Sequence, residues 1–298
     1  MAASSGGVAR ILLKTALDSS FCDTAYCVAA TECYPWAEGR YFEREVDLST
    51  IANSMYLPIL VNENLKPVQR PTTILVIGTN CQLMGMDLFY RTSNVRLIKV
   101  ALLCKQQKSF EFTRFIARRL GIGMDLRTPV RYRGNGWPGK VKMNKKSLDW
   151  ADAAALPYGK KLWMIPGCRF CAHPLGWNVD ITLSDPWGIY HKDKRGKTVI
   201  FVRTATGRDF LDLCKNKLFL KEIDIMGAKK SVDWEGIKRK QRLIAYYLRK
   251  DVPCARRMVA KMADCQRVLY ETILERVPLP RFALRVINRI PFGENFIL

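Results

Sequence analysis

Apolar residues along this chain recur with two periods, and the switches between them outline a mixed architecture. Val8, Ile11, Leu12 and Leu17 fall near helical spacing and predict a helix over 8–17. Residues 23–30 read as a strand, and the polar stretch 36–48 as a loop or hairpin. Residues 49–56 lead into the apolar Pro58-Ile-Leu-Val61, and 66–71 form a connector. Thr73 to Ile77 is an unbroken apolar run that ends in a Gly-containing turn and enters a helix. That is the pattern of a buried strand in a parallel sheet. Val95 to Cys104 repeats the pattern, followed by a helix over 109–120 with Phe110, Thr113, Phe115, Ile116 and Leu120 on its apolar side.

The second half is more interrupted. Arg131-Tyr-Arg-Gly-Asn-Gly-Trp-Pro-Gly-Lys140 is a turn cluster, read either as a hairpin loop or as a backbone that approaches something flat or phosphorylated. Strand 141–143, a short segment 148–156, strand 198–204, helix 207–214 and a further strand over 220–225 follow. From Asp233 the chain reads as helical, over 234–250 and 254–275, with a short helix or loop to the end. The expected fold class is α/β (mixed α+β): a central, mostly parallel sheet with flanking helices, an inserted β-rich region and a basic helical tail. The expected segments are 1–125, 126–230 and 231–298. The length of 298 residues suits one large or two interlocked domains.

Composition changes this picture in two ways. Apolar residues make up 48% of the chain, yet no run reaches the length of a membrane span, and the start lacks the pattern of a signal peptide. A cytoplasmic protein is expected. The formal charge of +22 raises the question of nucleic acid. No helix-turn-helix, zinc finger or aromatic-rich binding strand accompanies it, so an acidic protein partner or an anionic cofactor ranks above nucleic acid. Much of the excess lies in the last third, as in Ile237-Lys-Arg-Lys-Gln-Arg-Leu243. The weaker nucleic-acid reading would use Lys238, Arg239 and Lys240 there.

The chemistry centres on Pro166 to Gly188. Cys168 and Cys171 stand two residues apart on a tight turn, followed by a short apolar strand and Asp185-Pro-Trp187. Two thiolates so placed can hold one metal or half of an iron–sulfur cluster; a zinc half-site is the rival, but no second matching pair exists. Cys81 and Cys104 each end a strand, where α/β sheets place ligands. Cys22, Cys27, Cys33, Cys214, Cys254 and Cys265 are expected to be structural, and His173 a loop residue. Ser4, Ser5, Gly6 and Gly7 precede a helix and leave backbone N–H groups for an anion such as a nucleotide phosphate, unless they only cap it. No Ser/His/Asp arrangement or carboxylate pair suggests hydrolysis.

Several of these pieces fall in the order of one family. Ser4-Ser-Gly-Gly7, Gly78-Thr-Asn-Cys-Gln82, Leu103-Cys104, Tyr132-Arg-Gly-Asn-Gly-Trp-Pro-Gly139, Cys168-Arg-Phe-Cys171, Val179-Asp-Ile-Thr-Leu-Ser-Asp-Pro-Trp187 and Arg203-Thr-x-x-Gly207 together cover about residues 3–225. With them the chain resembles the coenzyme F420 hydrogenase/dehydrogenase beta-subunit family. The resemblance implies an oxidoreductase carrying FAD and a [4Fe–4S] cluster that exchanges electrons with coenzyme F420, an acidic ferredoxin-like protein or a redox-complex subunit. It implies Cys81, Cys104, Cys168 and Cys171 as cluster ligands. It also implies Ser4, Ser5, Gly6, Gly7, Arg133, Gly134, Gly136, Trp137, Asp185, Trp187 and Arg203 as flavin contacts. The chain departs from the family where Gly-x-Pro-Cys is replaced by Gly78-Thr-Asn-Cys81, and where Gly-Ser-Lys-Tyr is replaced by Asn53-Ser-Met-Tyr56. The ferredoxin-like module of many relatives has no counterpart in the sequence. A non-catalytic relative, binding a partner or assisting polysaccharide synthesis, is the alternative.

Overall fold

The computed structural model describes residues 5–51, 53–189, 195–248 and 253–291. Its centre is a six-stranded sheet. The strands are β1 (Thr24–Ala30), β2 (Ala37–Phe42), β3 (Thr72–Thr79), β4 (Val95–Leu102), and, past a smaller sheet, Ile181–Ser184 and Val199–Val202. The smaller antiparallel sheet is β5 (Val130–Arg131), β6 (Lys140–Met143) and β7 (Lys146–Asp149), so the last two strands of the large sheet are β8 and β9. The large sheet runs β2-β1-β3-β4-β8-β9. Its interior pairs β1·β3, β3·β4 and β4·β8 are parallel, and both edge pairs are antiparallel. The expected mixed fold class with a mostly parallel sheet is therefore what forms.

The unbroken apolar runs of β3 and β4 are explained by cover on both faces. On one face, Leu75, Ile77, Ile98 and Val100 pack with Leu12, Leu13, Ala16 and Leu17 of α1 (Val8–Asp18). On the other, Ile74 and Val76 pack with Leu83 and Met86 of α2 (Asn80–Phe89). The period of two thus assigns alternate residues of one strand to two cores.

A second core lies beside the sheet. Phe112, Phe115 and Ile116 of α3 (Phe110–Leu120) pack against Val141 and Met143 of β6 and Trp150, Ala153 and Leu156 of α4 (Trp150–Gly159). After α5 (Ala205–Cys214) come α6 (Ile225–Ser231), α7 (Trp234–Leu248), α8 (Cys254–Arg276) and α9 (Arg281–Arg289). Leu274 of α8 and Leu284 of α9 are buried in this second core. The basic C-terminal segment is thereby built into the body of the protein.

The strand expected over 220–225 does not form. Asp224 caps α6 by accepting from the Gly227 N–H at 2.6 Å, and Phe219 is 99% exposed. Among the described residues no strand pairs with residues 220–225; β9 is the edge of the large sheet and pairs with β8. The segment stays irregular up to Asp224, whose cap starts α6 at Ile225.

Two family-like motifs turn out to be joints of this frame. Asp180 accepts from the Lys99 N–H at 2.8 Å and from the Thr204 hydroxyl at 2.6 Å. Thr204 in turn caps α5 by accepting from the Gly207 N–H at 3.0 Å. A Cβ on Gly207 would run into the Asp180 carbonyl, so the Thr-x-x-Gly spacing is a packing requirement between α5 and β8.

Candidate functional site

Where the parallel strands end, the chain encloses a cavity of about 900 Å³. Ile77, Gly78 and Thr79 line it from β3, Leu102 to Gln107 from β4 and its exit, and Leu183, Ser184 and Asp185 from β8. This is the edge at which open α/β sheets bind ligands. Trp150, Tyr158, Tyr56 and Trp187 add an aromatic wall, on which Tyr56 stacks against Trp150 at 4.4 Å between ring centroids. The volume lies at the upper end for ligand sites, enough for a dinucleotide rather than a small metabolite.

Of the four sequence-predicted cysteines, Cys104 lines this cavity, and Cys81, Cys168 and Cys171 lie near it without lining the cavity. Cys81 lies in the first turn of α2, Cys104 just past β4, and Cys168 and Cys171 around the helical turn Pro166–Phe170. The Cys104 thiol lines the cavity and is pushed up to about 12, first by burial and then by Cys168, Cys81 and Cys171 close to it. Burial also pushes Cys168 up, and it too faces Cys81 and Cys171. Two polar groups meet these sulfurs: the Gln107 N–H donates to Cys168 Sγ at 3.3 Å, and Thr79 Oγ1 shares a hydrogen bond of 3.3 Å with Cys81 Sγ, in which either can be the donor. Among the described residues, no three His, Cys, Asp or Glu side chains stand close enough to chelate a single metal ion.

The start of α1 also borders the cavity, and no serine side chain caps the helix. Gly7 starts the helix at φ 77°, a left-handed conformation that suits glycine, and Ser5 and Gly7 both line the cavity. Gly6 sits between them against Thr198, and Ser5 Oγ donates to the Lys197 carbonyl. Ser4 lies outside the described residues.

The Arg133 loop is placed differently. Arg133 is fully buried and does not line the cavity. Its Nη1 donates to Asp185 Oδ2 at 2.9 Å and to the Tyr56 hydroxyl at 3.1 Å, and its Nε donates to the Pro138 carbonyl at 2.7 Å. The guanidinium also lies over the rings of Trp137, Trp150 and Trp187, at 5.0, 5.5 and 5.8 Å from their centroids. Burial works against its charge, but Tyr56 and Asp185 raise its pKa above the ordinary arginine value. Arg133 is thus a bolt behind the wall, holding Asp185, Tyr56 and Trp187 in place. Gly134, Gly136 and Trp137 belong to the same bolt, with Trp137 packed on Trp187 at 4.7 Å. Asp185 and Trp187 do line the cavity. Arg203 does not: it follows β9, and its N–H donates to the Asp180 carbonyl at the start of β8, the opposite end of the sheet.

The cations that line the cavity were not singled out by the sequence as ligands. Besides Arg10, they are Lys105, Lys161, Arg239 and Lys240, with Asp233 among them. Lys240 is only 8% exposed, and its Nζ donates to the Lys105 carbonyl at 2.5 Å. Burial lowers its pKa, while Cys171, Cys168 and Cys104 raise it. The run Lys238-Arg-Lys240, which as sequence reads as a solvated or nucleic-acid face, therefore turns one lysine inward beside the cysteines. The only signal available beforehand was the position of Lys105 next to Cys104. Asn53, Ser54, Met55 and Tyr56 also line the cavity, so the departure from Gly-Ser-Lys-Tyr replaces a cation by an apolar side chain in the wall.

The family model for the C-terminal region of the coenzyme F420 hydrogenase/dehydrogenase beta subunit matches residues 72–226. Among solved structures, the chain is similar to one in the xenon-derivatised F420-reducing [NiFe] hydrogenase complex from Methanosarcina barkeri. The two are 18% identical, the match covers 85% of this chain and 88% of that one, and the TM-score is 0.60. They share the fold. No curated protein matches.

Proposed function

The chain belongs to the coenzyme F420 hydrogenase/dehydrogenase beta-subunit family, and from that premise we propose that it is an iron–sulfur flavoprotein oxidoreductase. It passes electrons between a [4Fe–4S] cluster, FAD and an external partner such as coenzyme F420 or an acidic ferredoxin-like protein. The observation that carries this reading is the gathering of Cys81, Cys168 and Cys171 near Cys104, which lines a dinucleotide-sized cavity. Four thiolates are the usual ligand set of such a cluster.

In this reading the flavin, when bound, supplies hydride and single-electron chemistry. The residues of the chain bind, orient and exclude water. Ser5 and Gly7 offer backbone N–H groups at the start of α1 to a phosphate. Tyr56, Trp150, Tyr158 and Trp187 form an apolar aromatic wall for a flat ring. The Gln107 N–H and Thr79 hydroxyl face cysteine sulfurs, and such hydrogen bonds raise the reduction potential of a thiolate-bound cluster. Arg133 keeps Asp185 fixed at the cavity edge, so its carboxylate has one orientation toward the bound ring. The net charge of +22 steers anionic partners toward the chain, an effect that salt weakens.

The test is cysteine replacement read by metal content. Cys81→Ser, Cys104→Ser and Cys168→Ser, prepared without oxygen, are expected to lose most of the iron, whereas Cys33→Ser, at an exposed position outside the cavity lining, keeps it. Wild-type iron content in all three site variants would refute the ligand set. A wild-type protein with neither flavin nor iron would favour the non-catalytic alternative.

A further inference from the structure

The last described helix is only half used by the fold. α9 carries no acidic residue, and its side chains fall into lengthwise rows. Leu284 is buried in the second core, and Ile287 packs against that core beside it. Phe282 and Val286, with Ile290 just past the helix end, stand one turn apart and are 71%, 57% and 44% exposed. Arg281, Arg285 and Arg289 repeat at the same spacing and are exposed as well. At 3.6 residues per turn the arginine row runs directly beside the exposed apolar row.

Both rows are presented by a helix that is tied down. Lys160 Nζ donates to the Ile290 carbonyl, and Gln266 of α8 donates to the Pro291 carbonyl at 3.3 Å. Arg281 pairs with Asp152 of α4, and Arg285 lies 3.8 Å from the same carboxylate. One carboxylate thus offsets one of three guanidinium charges, and both arginines beside it stay more than half exposed. A face that is already formed loses little freedom on binding.

The chemistry of the two rows selects what covers them. A second copy of the chain would set arginine row against arginine row, which like charges oppose. A nucleic acid would use the arginines and leave Phe282 and Val286 in water. An anionic bilayer surface uses both rows: the arginines meet headgroup phosphates, and the apolar row enters the boundary with the acyl chains. A charged face, an apolar face and low overall hydrophobicity on one helix are the pattern of an element that lies in the plane of such a surface. The net charge of +22 adds long-range attraction in the same sense. Lying on a bilayer requires no span, and no described helix is long and apolar enough to cross one.

We propose that α9 is an interfacial anchor that attaches the protein to a bilayer surface rich in anionic phospholipid. Phe282, Val286 and Ile290 enter the bilayer boundary, and Arg285 and Arg289 meet the headgroup phosphates. The anchor depends on neither flavin nor cluster, so a colourless protein that still binds anionic vesicles through α9 leaves it standing.

Co-sedimentation of the full chain with phosphatidylcholine vesicles, with and without about one-third phosphatidylglycerol, tests this. The wild type is expected to sediment with the anionic vesicles at about 0.1 M salt, to leave them at about 1 M, and to ignore the neutral ones. Phe282→Ser should weaken binding by about tenfold, and Arg285→Gln and Arg289→Gln by about fivefold each. Arg289→Lys should bind as the wild type does, because it keeps the charge. Lys221→Gln, which removes an exposed cation from another segment, should also bind normally. All these positions are exposed, so the variants should keep the wild-type melting temperature; if Phe282→Ser does not, Arg289→Gln decides. No sedimentation with anionic vesicles, wild-type binding by the α9 variants, or an equal loss in Lys221→Gln overturns the anchor. Binding of polyglutamate through Arg285 and Arg289 without vesicle binding assigns the row to an acidic protein and overturns it equally.

Discussion

Asp185→Asn removes one charge from the pair with Arg133 and changes almost nothing in size. The Arg133 side chain is 1% exposed and that of Asp185 is 26% exposed. The substitution therefore removes the carboxylate charge beside the more deeply buried partner, which stays charged. Breaking a buried pair in this way typically costs about 3–5 kcal/mol. Other contacts soften the loss: the Tyr56 hydroxyl and the Pro138 carbonyl still accept from the guanidinium, and three tryptophan rings still face it. The lower end, about 3 kcal/mol, is the expected cost. In a chain of this size that lowers the melting temperature by about 6–12 °C. The assay is urea denaturation with a matching calorimetric scan, run on wild type, Asp185→Asn, Arg133→Met and the double variant. The two losses should overlap, with the double variant costing at least about 1 kcal/mol less than their sum. A change under about 1 kcal/mol in Asp185→Asn, or strict additivity, would show that Arg133 does not hold the wall and that the reasoning is wrong.

Further outcomes follow from the same geometry. Lys108 is fully buried, donates to Gln106 Oε1 and to the Pro157 and Leu162 carbonyls at 2.8 Å each, and is held well below the usual lysine range by burial; Lys108→Met should destabilise by about 3 kcal/mol or more in denaturant titration, since it strands three acceptors. Phe112→Ala, at a fully buried position of the second core, should cost about 3–5 kcal/mol by the same titration. Gly207→Ala should lower the melting temperature, since its Cβ meets the Asp180 carbonyl, and an unchanged melting temperature would deny the packing role of that motif.

The sheet was legible because its signals are local. The apolar runs at Thr73–Ile77 and Val95–Leu102 need no distant information to be read as buried strands, and the two cysteines after them share the sheet end that parallel pairing dictates. The convergence of Cys168 and Cys171 with them came from the family resemblance, not from periodicity. Residues 220–225 misled because alternation alone does not say whether a neighbouring strand exists; the cap at Asp224 was the deciding and overlooked signal. Arg133 and Arg203 show a different limit. A motif shared within a family marks a position under constraint, but the constraint here is an ion pair behind the wall for one and proximity to a joint at the far sheet end for the other. The inward turn of Lys240 was not legible for a simpler reason: Lys238, Arg239 and Lys240 read only as a basic or nucleic-acid face, and Lys240 meets Lys105 because α7 packs against a distant part of the chain.

The central claim is that this cavity holds a flavin beside a four-cysteine cluster. Purification of the full chain without oxygen, followed by flavin, iron and sulfide analysis and a visible spectrum, tests it most directly. The expected result is one flavin per chain with about four irons and four sulfides, and a brown–yellow protein that bleaches on reduction. A colourless protein, free of flavin and iron after anaerobic purification and reconstitution, would contradict it.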